Sequence, residues 1–451
     1  MCRVGLIGEN SIEYVDKLID IWNSGNCAVL IDFQIPIKTA VQMMIEANIT
    51  QCFIEQKLFD KVNKITNNEI QFVPYVVSCV SPQILSNKIR TKYRLNYSHD
   101  EAVVIYSSGT TGHSKGIILS HYAITTNADA IIEYMELTKD DCIYTVRPFS
   151  HSSTLTGELL VALRSNSNLL ISPTIVPPRY IFENVQKYQI SLLCVNPALL
   201  SLLCKERCRS NTDLSSLRTI YSSGSILDDK IVYKSKERFS GVEIFNVYGL
   251  TEAGPRVSAQ RVDCCKSNSV GKPLIGVEVV VVDENGNVLL NGECGVIHVN
   301  TPSRYSGYIT GEEKHKSLYK DWLNTGDIGY FDGFGELHIV DRIDDVIFLG
   351  AHKIYPKDVA SKIVKQADID TCVVTAIRIN SENILCCLYT ASSDIRNDIK
   401  KKLGTVLTKY EIPKVFIRTE VIPKTRTGKI SSQLVKEVII KNLERRKTYD
   451  S

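Results

Sequence analysis

Short apolar runs alternate with amphipathic helical patterns through the first 250 residues of the chain. The pattern predicts strands at residues 4–7 and 27–33, with a helix over residues 11–23 between them. Further strands are predicted at 52–55, 102–106, 142–146, 169–171, 192–195, 217–221 and 242–247. Helical patterns fall between most of these runs, so the sequence predicts an α/β fold with doubly wound parallel sheets.

The pattern changes after residue 270. Two strand-like runs, 277–282 and 288–299, flank a polar turn at 283–287 that contains a glycine, which is typical of a β-hairpin. From residue 342 to the end the pattern is mixed α+β. We therefore expect an N-terminal core over residues 1–341, with a small β-rich module at about 270–341, and a small mobile C-terminal domain over residues 342–451.

Composition limits the possible partners more than it identifies the function. The 451 residues include 44% hydrophobic and 23% charged residues, and the formal net charge is +3. This charge is too small to indicate binding to nucleic acid or to an anionic membrane. No run of 18 apolar residues occurs, so no membrane span is expected. Fourteen cysteines without a C-x-x-C pair indicate reduced thiols and a cytoplasmic protein.

Residues 107–116 form a loop rich in glycine and hydroxyl side chains, directly after the strand at 102–106. Glycines let backbone N–H groups turn inward, hydroxyls add donors and a lysine adds charge, which suits a polyanion such as a nucleotide triphosphate. Ser114 stands where the P-loop pattern of NTPases requires glycine. A plain surface loop remains the alternative. The candidate phosphate ligands are Ser107, Ser108, Gly109, Thr110, Thr111, Gly112 and Lys115.

This loop resembles the phosphate loop of adenylate-forming enzymes, the superfamily of acyl- and aryl-CoA synthetases, stand-alone adenylation domains and luciferases. Further segments resemble the motifs of that superfamily in the same order along the chain. They are Y-G-x-T-E at 248–252, T-G-D at 325–327, R-x-D-D at 342–345 and P-K-T-x-x-G-K at 423–429.

The resemblance implies a role for each matching residue around ATP. Thr251 would contact the α-phosphate and Glu252 would hold Mg²⁺, an ion that prefers carboxylates together with phosphate oxygens. Lys429 would touch the substrate carboxylate and the α-phosphate. These three residues are the expected catalytic group.

The same resemblance implies contacts to the nucleoside. Tyr248 and Gly249 would lie against the adenine, and residues 223–225 resemble the small-residue segment that accepts this ring. Asp327 and Arg342 would bind the ribose, and Asp344 would be the hinge of the C-terminal domain. The adenine segment consists of Ser223, Gly224 and Ser225.

The choice of acid is expected to depend on Phe149, Ser150 and His151, which resemble a pocket-lining segment of the superfamily. Members that activate amino acids usually carry an aspartate where Ser150 stands, and an unpaired buried ammonium is costly. An aryl or aliphatic acid is therefore favoured over an α-amino acid. A packed histidine with no ligand role remains the alternative for His151.

The chain departs from the superfamily pattern at Asp341 and Ala351, where glycine is common, and it begins at what resembles an internal βα unit. An extra methyl at residue 351 could narrow the thiol tunnel, and we expect a short member. The implied function is an ATP-dependent ligase that adenylates a small carboxylic acid and passes the acyl group to a thiol. Coenzyme A and the phosphopantetheine of a carrier protein both remain open as acceptor. The alternatives are a non-catalytic nucleotide-binding homologue or an amino-acid adenylation enzyme, and the oligomeric state stays open.

Overall fold

The structure is a computed structural model of the 451-residue chain. It describes residues 1–62, 70–79, 81–107, 115–173, 176–206, 212–225, 227, 229–260, 269–311, 315–349, 352–367, 369–379, 382–392, 402–424 and 430–449. Contacts between Cα atoms divide the chain into two compact units. The first comprises residues 1–291, 298–325 and 331–338, and the second comprises residues 292–297, 326–330 and 339–451.

The first part of the chain forms most of a seven-stranded sheet, and a later segment contributes one of its two edge strands. The elements of this part of the chain are β1 (Arg3–Gly8), α1 (Ile12–Asn23), β2 (Cys27–Asp32), α2 (Ile37–Glu46), β3 (Gln51–Glu55), α3 (Gln56–Val62), β4 (Gln71–Tyr75), β5 (Gln83–Ile84), α4 (Asn87–Arg90), β6 (Glu101–Ser107) and β7 (Lys115–Ser120). Strands β6, β2, β1, β3 and β4 are adjacent in that order and parallel. The Ser11 hydroxyl caps α1 by accepting a hydrogen bond from the backbone N–H of Tyr14 at 3.1 Å.

The glycine-rich loop joins two antiparallel strands. Ser107 ends β6 and lies opposite Lys115, the first residue of β7. Strand β7 was not predicted from the sequence, because its first two residues were assigned to the loop at 107–116. A helix begins directly after β7 at His121, and the Ser120 hydroxyl caps it by accepting a hydrogen bond from the backbone N–H of Ala123 at 3.1 Å.

The middle of the chain forms an eight-stranded sheet. Its elements are α5 (His121–Met135), β8 (Cys142–Thr145), α6 (Ser152–Thr154), a π-helix (Leu155–Leu160), α7 (Val161–Ser165), β9 (Asn168–Ile171), α8 (Pro178–Tyr188), β10 (Leu192–Val195), α9 (Pro197–Lys205), β11 (Thr219–Ser222), α10 (Asp229–Arg238), β12 (Glu243–Tyr248), a 3₁₀-helix (Thr251–Ala253), β13 (Ser258–Ala259) and β14 (Lys272–Pro273). Strands β9, β8, β10, β11 and β12 are parallel neighbours, and β5, β13 and β14 add antiparallel edges. The expected parallel α/β architecture is confirmed.

A smaller four-stranded sheet follows. The elements of this region are β15 (Glu278–Val282), β16 (Gly295–Asn300), β17 (Gly307–Tyr308), β18 (Leu323–Phe331) and β19 (Leu337–Arg342), and the sheet order is β15-β16-β18-β19. The polar turn at 283–287 is present, but the strand after it begins at Gly295 rather than at Val288. Val288 makes only an isolated bridge to Val282, because a second turn with Gly292 at φ +91° interrupts the run.

The second unit contains a compact α+β region. Its elements are a 3₁₀-helix (Ile343–Asp345), β20 (Ile347–Leu349), β21 (His352–Ile354), α11 (Pro356–Gln366), β22 (Thr371–Ile379), β23 (Glu382–Thr390), β24 (Val415–Arg418) and α12 (Ser432–Tyr449). Strands β22 and β23 pair antiparallel, and β23 pairs with β24 in parallel. Buried Val359 and Ile363 of α11 pack with Cys387 and Tyr389 of β23 in the core of this region.

Candidate active site

Several polar segments of the first unit meet because the strands before them are parallel neighbours. Strands β8, β10, β11 and β12 run side by side in one direction. The carboxyl ends of parallel strands share one edge of a sheet, which is where open α/β folds bind ligands. Residues 146–151, 223–225 and 249–252 all follow these strand ends, so the sheet brings three of the sequence-predicted segments to one edge.

Thr251 and Glu252 lie on a short 3₁₀-helix just after β12. The turn before this helix requires glycine, since a Cβ atom on Gly249 would lie 1.7 Å from the carbonyl oxygen of Pro255. The Thr251 hydroxyl lies 2.9 Å from the hydroxyl of Ser152, the first residue of α6. The motif after β12 is therefore hydrogen-bonded to the residue that directly follows the predicted acid-pocket segment at 149–151.

Tyr308 connects Glu252 to the strand that leaves the glycine-rich loop. Its hydroxyl donates a 2.9 Å hydrogen bond to Oε1 of Glu252, and Nζ of Lys115 lies 5.1 Å from the centre of its ring. Strand β17, which carries Tyr308, pairs antiparallel with β7. Burial and the neighbouring Glu252 carboxylate raise the pKa of Tyr308 well above its usual value, so the hydroxyl remains a donor.

Sequence reasoning missed Tyr308. The residue lies outside the motifs that were matched, on a two-residue strand with no periodicity of its own. Its role depends on the pairing of β17 with β7, which links positions almost 200 residues apart along the chain. A local pattern carries no signal for such a pairing.

The segment at 149–151 is divided between core and surface. Phe149 is 1% exposed and packs on Tyr14, with ring centroids 6.0 Å apart. Ser150 is also buried, and its hydroxyl has no hydrogen-bond partner among the described residues. His151 is more open, with Nε2 lying 3.5 Å from Oδ2 of Asp32. Of the three side chains expected in the acid pocket, only His151 is substantially exposed.

A buried ion pair lies beside this segment. The Arg147 guanidinium donates one hydrogen bond to Oε1 of Glu158 on the π-helix and another, at 2.6 Å, to the Ser223 hydroxyl. Glu158 is completely buried, and burial raises the pKa of its carboxyl although Arg147 acts in the opposite direction. Ser223 belongs to the predicted adenine segment, whereas Gly224 and Ser225 after it are exposed.

The ribose and hinge residues predicted from the sequence belong to the second unit or its boundary strands. Nε of Arg342 lies 3.3 Å from Oδ1 of Asp327, so these two side chains form an ion pair. Asp344 is exposed on the 3₁₀-helix that follows Arg342. The predicted ribose ligands are thus adjacent in space.

Asp341, the departure from the glycine of the superfamily pattern, is fully bonded within the second unit. Its buried carboxylate accepts hydrogen bonds from the backbone N–H of Arg342 at 2.8 Å and from the backbone N–H of Lys357 at 2.9 Å. Nζ of Lys357 lies 2.9 Å from both Asp341 and Asp345. The Asp341 carboxylate therefore caps the first turn of α11. Through Lys357 it is also linked to Asp345, the residue after Asp344.

Eight of the positions singled out in the sequence lie outside the described residues. They are Ser108, Gly109, Thr110, Thr111, Gly112, Ser114, Ala351 and Lys429. Lys115 and Ser107, at the two ends of the loop, are described and lie on paired strands.

Two other features of the first unit do not coincide with these residues. A cleft of about 380 Å³ is lined by residues 9–12 and 55–57, and none of the matched motifs lines it. Asp332, Glu336 and His338 lie close enough to share a metal ion, but Oδ1 of Asp332 accepts the backbone N–H groups of Phe334 and Glu336. That carboxylate therefore organises the turn between β18 and β19.

Comparison with known proteins identifies the class that this fold and site define. Residues 2–309 match the model of the AMP-binding enzyme family. The chain belongs to the AMP-binding enzyme family.

Curated relatives are similar over about three quarters of the chain. A 4-coumarate–CoA ligase of Narcissus pseudonarcissus is 28% identical, over 75% of this chain and 64% of the relative. An indoleacetate–CoA ligase of Aromatoleum aromaticum is 27% identical, over 75% of this chain and 67% of the relative. An oxalate–CoA ligase of Arabidopsis thaliana is 27% identical, over 76% of this chain and 68% of the relative. The chain thus spans about two thirds of the length of these relatives.

Solved structures of similar fold cover nearly the whole chain. ATP-bound MatB from Rhodopseudomonas palustris superposes with a TM-score of 0.85 at 22% identity, covering 97% of this chain and 88% of that protein. The anthranilate CoA ligase AuaEII in complex with anthranoyl-AMP gives 0.82 at 22% identity, covering 97% and 87%. At such identity the likeness establishes the fold. Among the described residues, no helix combines the length and apolar character needed to span a bilayer.

Proposed function

We propose that this protein is an ATP-dependent ligase that converts a small carboxylic acid to an acyl- or aryl-adenylate and then transfers the acyl group to a thiol. The observation that carries the proposal is the connection from Glu252 through Tyr308 to Lys115. It joins the motif after β12 to the strand leaving the glycine-rich loop, as a site for a polyphosphate requires. Membership of the AMP-binding enzyme family supports the same activity.

In the first step a carboxylate oxygen of the acid attacks the α-phosphorus of ATP, and pyrophosphate leaves with the electrons of the broken P–O bond. The acid is already ionised at neutral pH, so the step needs no general base. The protein must align two anions and stabilise negative charge at phosphorus. We assign this work to Thr251, Lys115 and Lys429, together with the loop residues 107–112.

Glu252 is the proposed ligand for Mg²⁺. Its carboxylate is half-buried, and the Tyr308 hydrogen bond occupies Oε1, which leaves Oε2 for a cation. One carboxylate oxygen combined with phosphate oxygens and water is the kind of donor set that Mg²⁺ prefers. When bound, Mg²⁺ supplies positive charge to the phosphate oxygens.

Adenine binding is proposed for the first unit and ribose binding for the second. Tyr248 ends β12, and Gly249 and residues 223–225 follow neighbouring parallel strands, which supports an adenine site at that edge. The Asp327–Arg342 pair offers a carboxylate for the ribose hydroxyls.

In the second step we propose that the C-terminal domain turns about Asp344 and that a thiol attacks the adenylate, releasing AMP. A few backbone torsions at one residue suffice for such a rotation. The relatives named as CoA ligases favour coenzyme A as the acceptor, and a carrier-protein phosphopantetheine is the second candidate. We place the reaction in the cytoplasm, because the described cysteines are unpaired.

The direct test is acid-dependent exchange of labelled pyrophosphate into ATP with a panel of aryl, aliphatic and amino acids. We expect exchange with at least one acid, dependence on Mg²⁺, and thioester formation when coenzyme A or a loaded carrier protein is added. Nucleotide binding without exchange for any acid would instead support a non-catalytic nucleotide-binding homologue. Exchange with α-amino acids alone would support an amino-acid adenylation enzyme.

A further inference from the structure

The segment after β8 combines an unusual helix with an unusual charge. Residues 155–160 form a π-helix, a conformation that is rare in proteins and frequent at functional sites. Glu158 lies in this helix and is completely buried. A buried carboxylate is retained in a fold only when it is paired, and here the partner is Arg147.

This ion pair is incompletely satisfied. By hydrogen-bond geometry, Nε of Arg147 and Oε2 of Glu158 are both buried without a partner among the described residues, while the nearby Thr145 hydroxyl and Arg147 act to lower the pKa of the Glu158 carboxyl against the effect of burial. Nε of Arg147 is a hydrogen-bond donor and Oε2 of Glu158 is an acceptor, and the two side chains are already joined by another hydrogen bond. Buried polar atoms are almost always hydrogen-bonded in native proteins, so each such atom requires an explanation.

Hydroxyl groups from the same segments share this property. The side-chain oxygens of four buried residues likewise have no partner within the part of the chain that the structure describes, namely Ser150, Thr154, Thr156 and Ser222. An aryl or fatty acid pocket is expected to be lined by apolar side chains. These four side chains are polar instead.

The ion pair is connected by hydrogen bonds of its own segment to two of the matched motifs. Ser152 and Glu158 belong to one continuous helical run from 152 to 165 and lie six residues apart. The Ser152 hydroxyl is hydrogen-bonded to that of Thr251. Six residues of helix correspond to about 9 Å. Arg147 is hydrogen-bonded to Ser223 in the predicted adenine segment. A short acid with its carboxylate near Thr251 could therefore extend its tail to the ion pair.

We propose that the Arg147–Glu158 pair selects acids whose tail ends in a neutral group that both donates and accepts hydrogen bonds, such as a hydroxyl or a primary amide. This inference rests on the proposed function and specifies its substrate class. A hydroxyl can donate to Oε2 of Glu158 and accept from Nε of Arg147. A second carboxylate cannot donate to Glu158, an ammonium cannot accept from Arg147, and a methyl group can do neither.

A site built to hydrogen-bond a substrate hydroxyl rejects an analogue without it, because its own buried polar groups are then left unpaired. The test is pyrophosphate exchange with matched acids of four- and six-carbon length that end in methyl, hydroxyl, carboxylate or ammonium. We expect the ω-hydroxy acid to exceed each of the other three by about tenfold or more in kcat/KM. A preference for the methyl, carboxylate or ammonium acid overturns the inference.

Two variants connect this preference to the ion pair. In R147L/E158L both charges are replaced by side chains of similar bulk, and we expect the preference to shift from the hydroxy acid to the methyl acid. Glu158→Gln keeps a hydrogen-bonding group and should retain part of the preference. An unchanged preference in the folded double variant, checked by circular dichroism, means that water alone fills the site and overturns the inference. Absence of exchange with any acid would instead count against the proposed ligase activity.

Discussion

Glu158 and Glu252 lie in the same unit, yet their surroundings differ completely. Glu158 is fully buried and bonded to a guanidinium, whereas Glu252 is half-buried and receives a single hydrogen bond from a tyrosine hydroxyl. The first arrangement neutralises charge inside the protein, and the second leaves a negative charge accessible to a cation. The comparison teaches that burial and partner, rather than residue type, distinguish the carboxylate proposed to select a substrate tail from the one proposed to hold a metal ion.

Breaking the buried pair should have the largest effect on stability. Glu158→Leu leaves the Arg147 guanidinium buried without its partner, and we expect the free energy of unfolding to fall by about 3–5 kcal/mol. R147L/E158L should recover most of this loss, since a buried ion pair can be replaced by apolar groups at little net cost. Urea unfolding of the wild type, Glu158→Leu and R147L/E158L measures both the loss of stability and its recovery. A double variant less stable than the single variant would contradict the assignment of a paired charge.

Removing the charge of Glu252 should reduce the rate instead. We expect Glu252→Gln to lower pyrophosphate exchange by about 10²–10³-fold, by analogy with the loss of one group that stabilises charge in a transition state. Glu237→Gln is the matched control, because this exposed glutamate lies on α10 away from the site. Equal rates for the two variants would exclude Glu252 from the reaction.

The backbone before Glu252 offers a third test. A Cβ atom on Gly249 would overlap the Pro255 carbonyl, so we expect Gly249→Ala to lower the free energy of unfolding by about 1–3 kcal/mol. Gly333→Ala is the control, because a Cβ atom there would meet no atom within 4 Å. Thermal unfolding of both variants measures the difference. A Gly249→Ala protein as stable as the control would show that the turn is not fixed by this contact.

The smallest effect is expected at Tyr308. Tyr308→Phe keeps the ring beside Lys115 but removes the hydrogen bond that orients Glu252. We expect the Mg²⁺ concentration needed for half-maximal ATP binding to rise several-fold, because one hydrogen bond contributes about 1 kcal/mol. Calorimetry measures this concentration. Tyr233→Phe, at an exposed tyrosine, should leave this concentration unchanged. An unaltered Mg²⁺ requirement in Tyr308→Phe would remove Tyr308 from the description of the site.

The sequence predicted those features of the fold that depend on local periodicity. The parallel strands and the helix capped by Ser11 follow from runs of apolar residues at regular spacing. Strand β7 was missed because its first residues were assigned to the glycine-rich loop. The strand placed at 288–299 was too long because the turn at Gly292 was not recognised.

In the site, too, local patterns predicted some features and missed others. Segments at the ends of strands could be predicted to meet, because parallel neighbours share an edge. The Tyr308 hydrogen bond and the Arg147–Glu158 pair depend on pairings between distant or differently oriented segments, which no local motif encodes. Phe149 was expected in the acid pocket and lies against Tyr14, since its own apolar character places it in the core.

One measurement tests this contrast between the two carboxylates most directly: pyrophosphate exchange with 6-hydroxyhexanoate and hexanoate in the wild type, Glu252→Gln and R147L/E158L. We predict that Glu252→Gln lowers both rates in proportion and leaves their ratio unchanged, while the double variant changes the ratio in favour of hexanoate. A changed ratio in Glu252→Gln together with an unchanged ratio in R147L/E158L would contradict the roles assigned to Glu252 and Glu158.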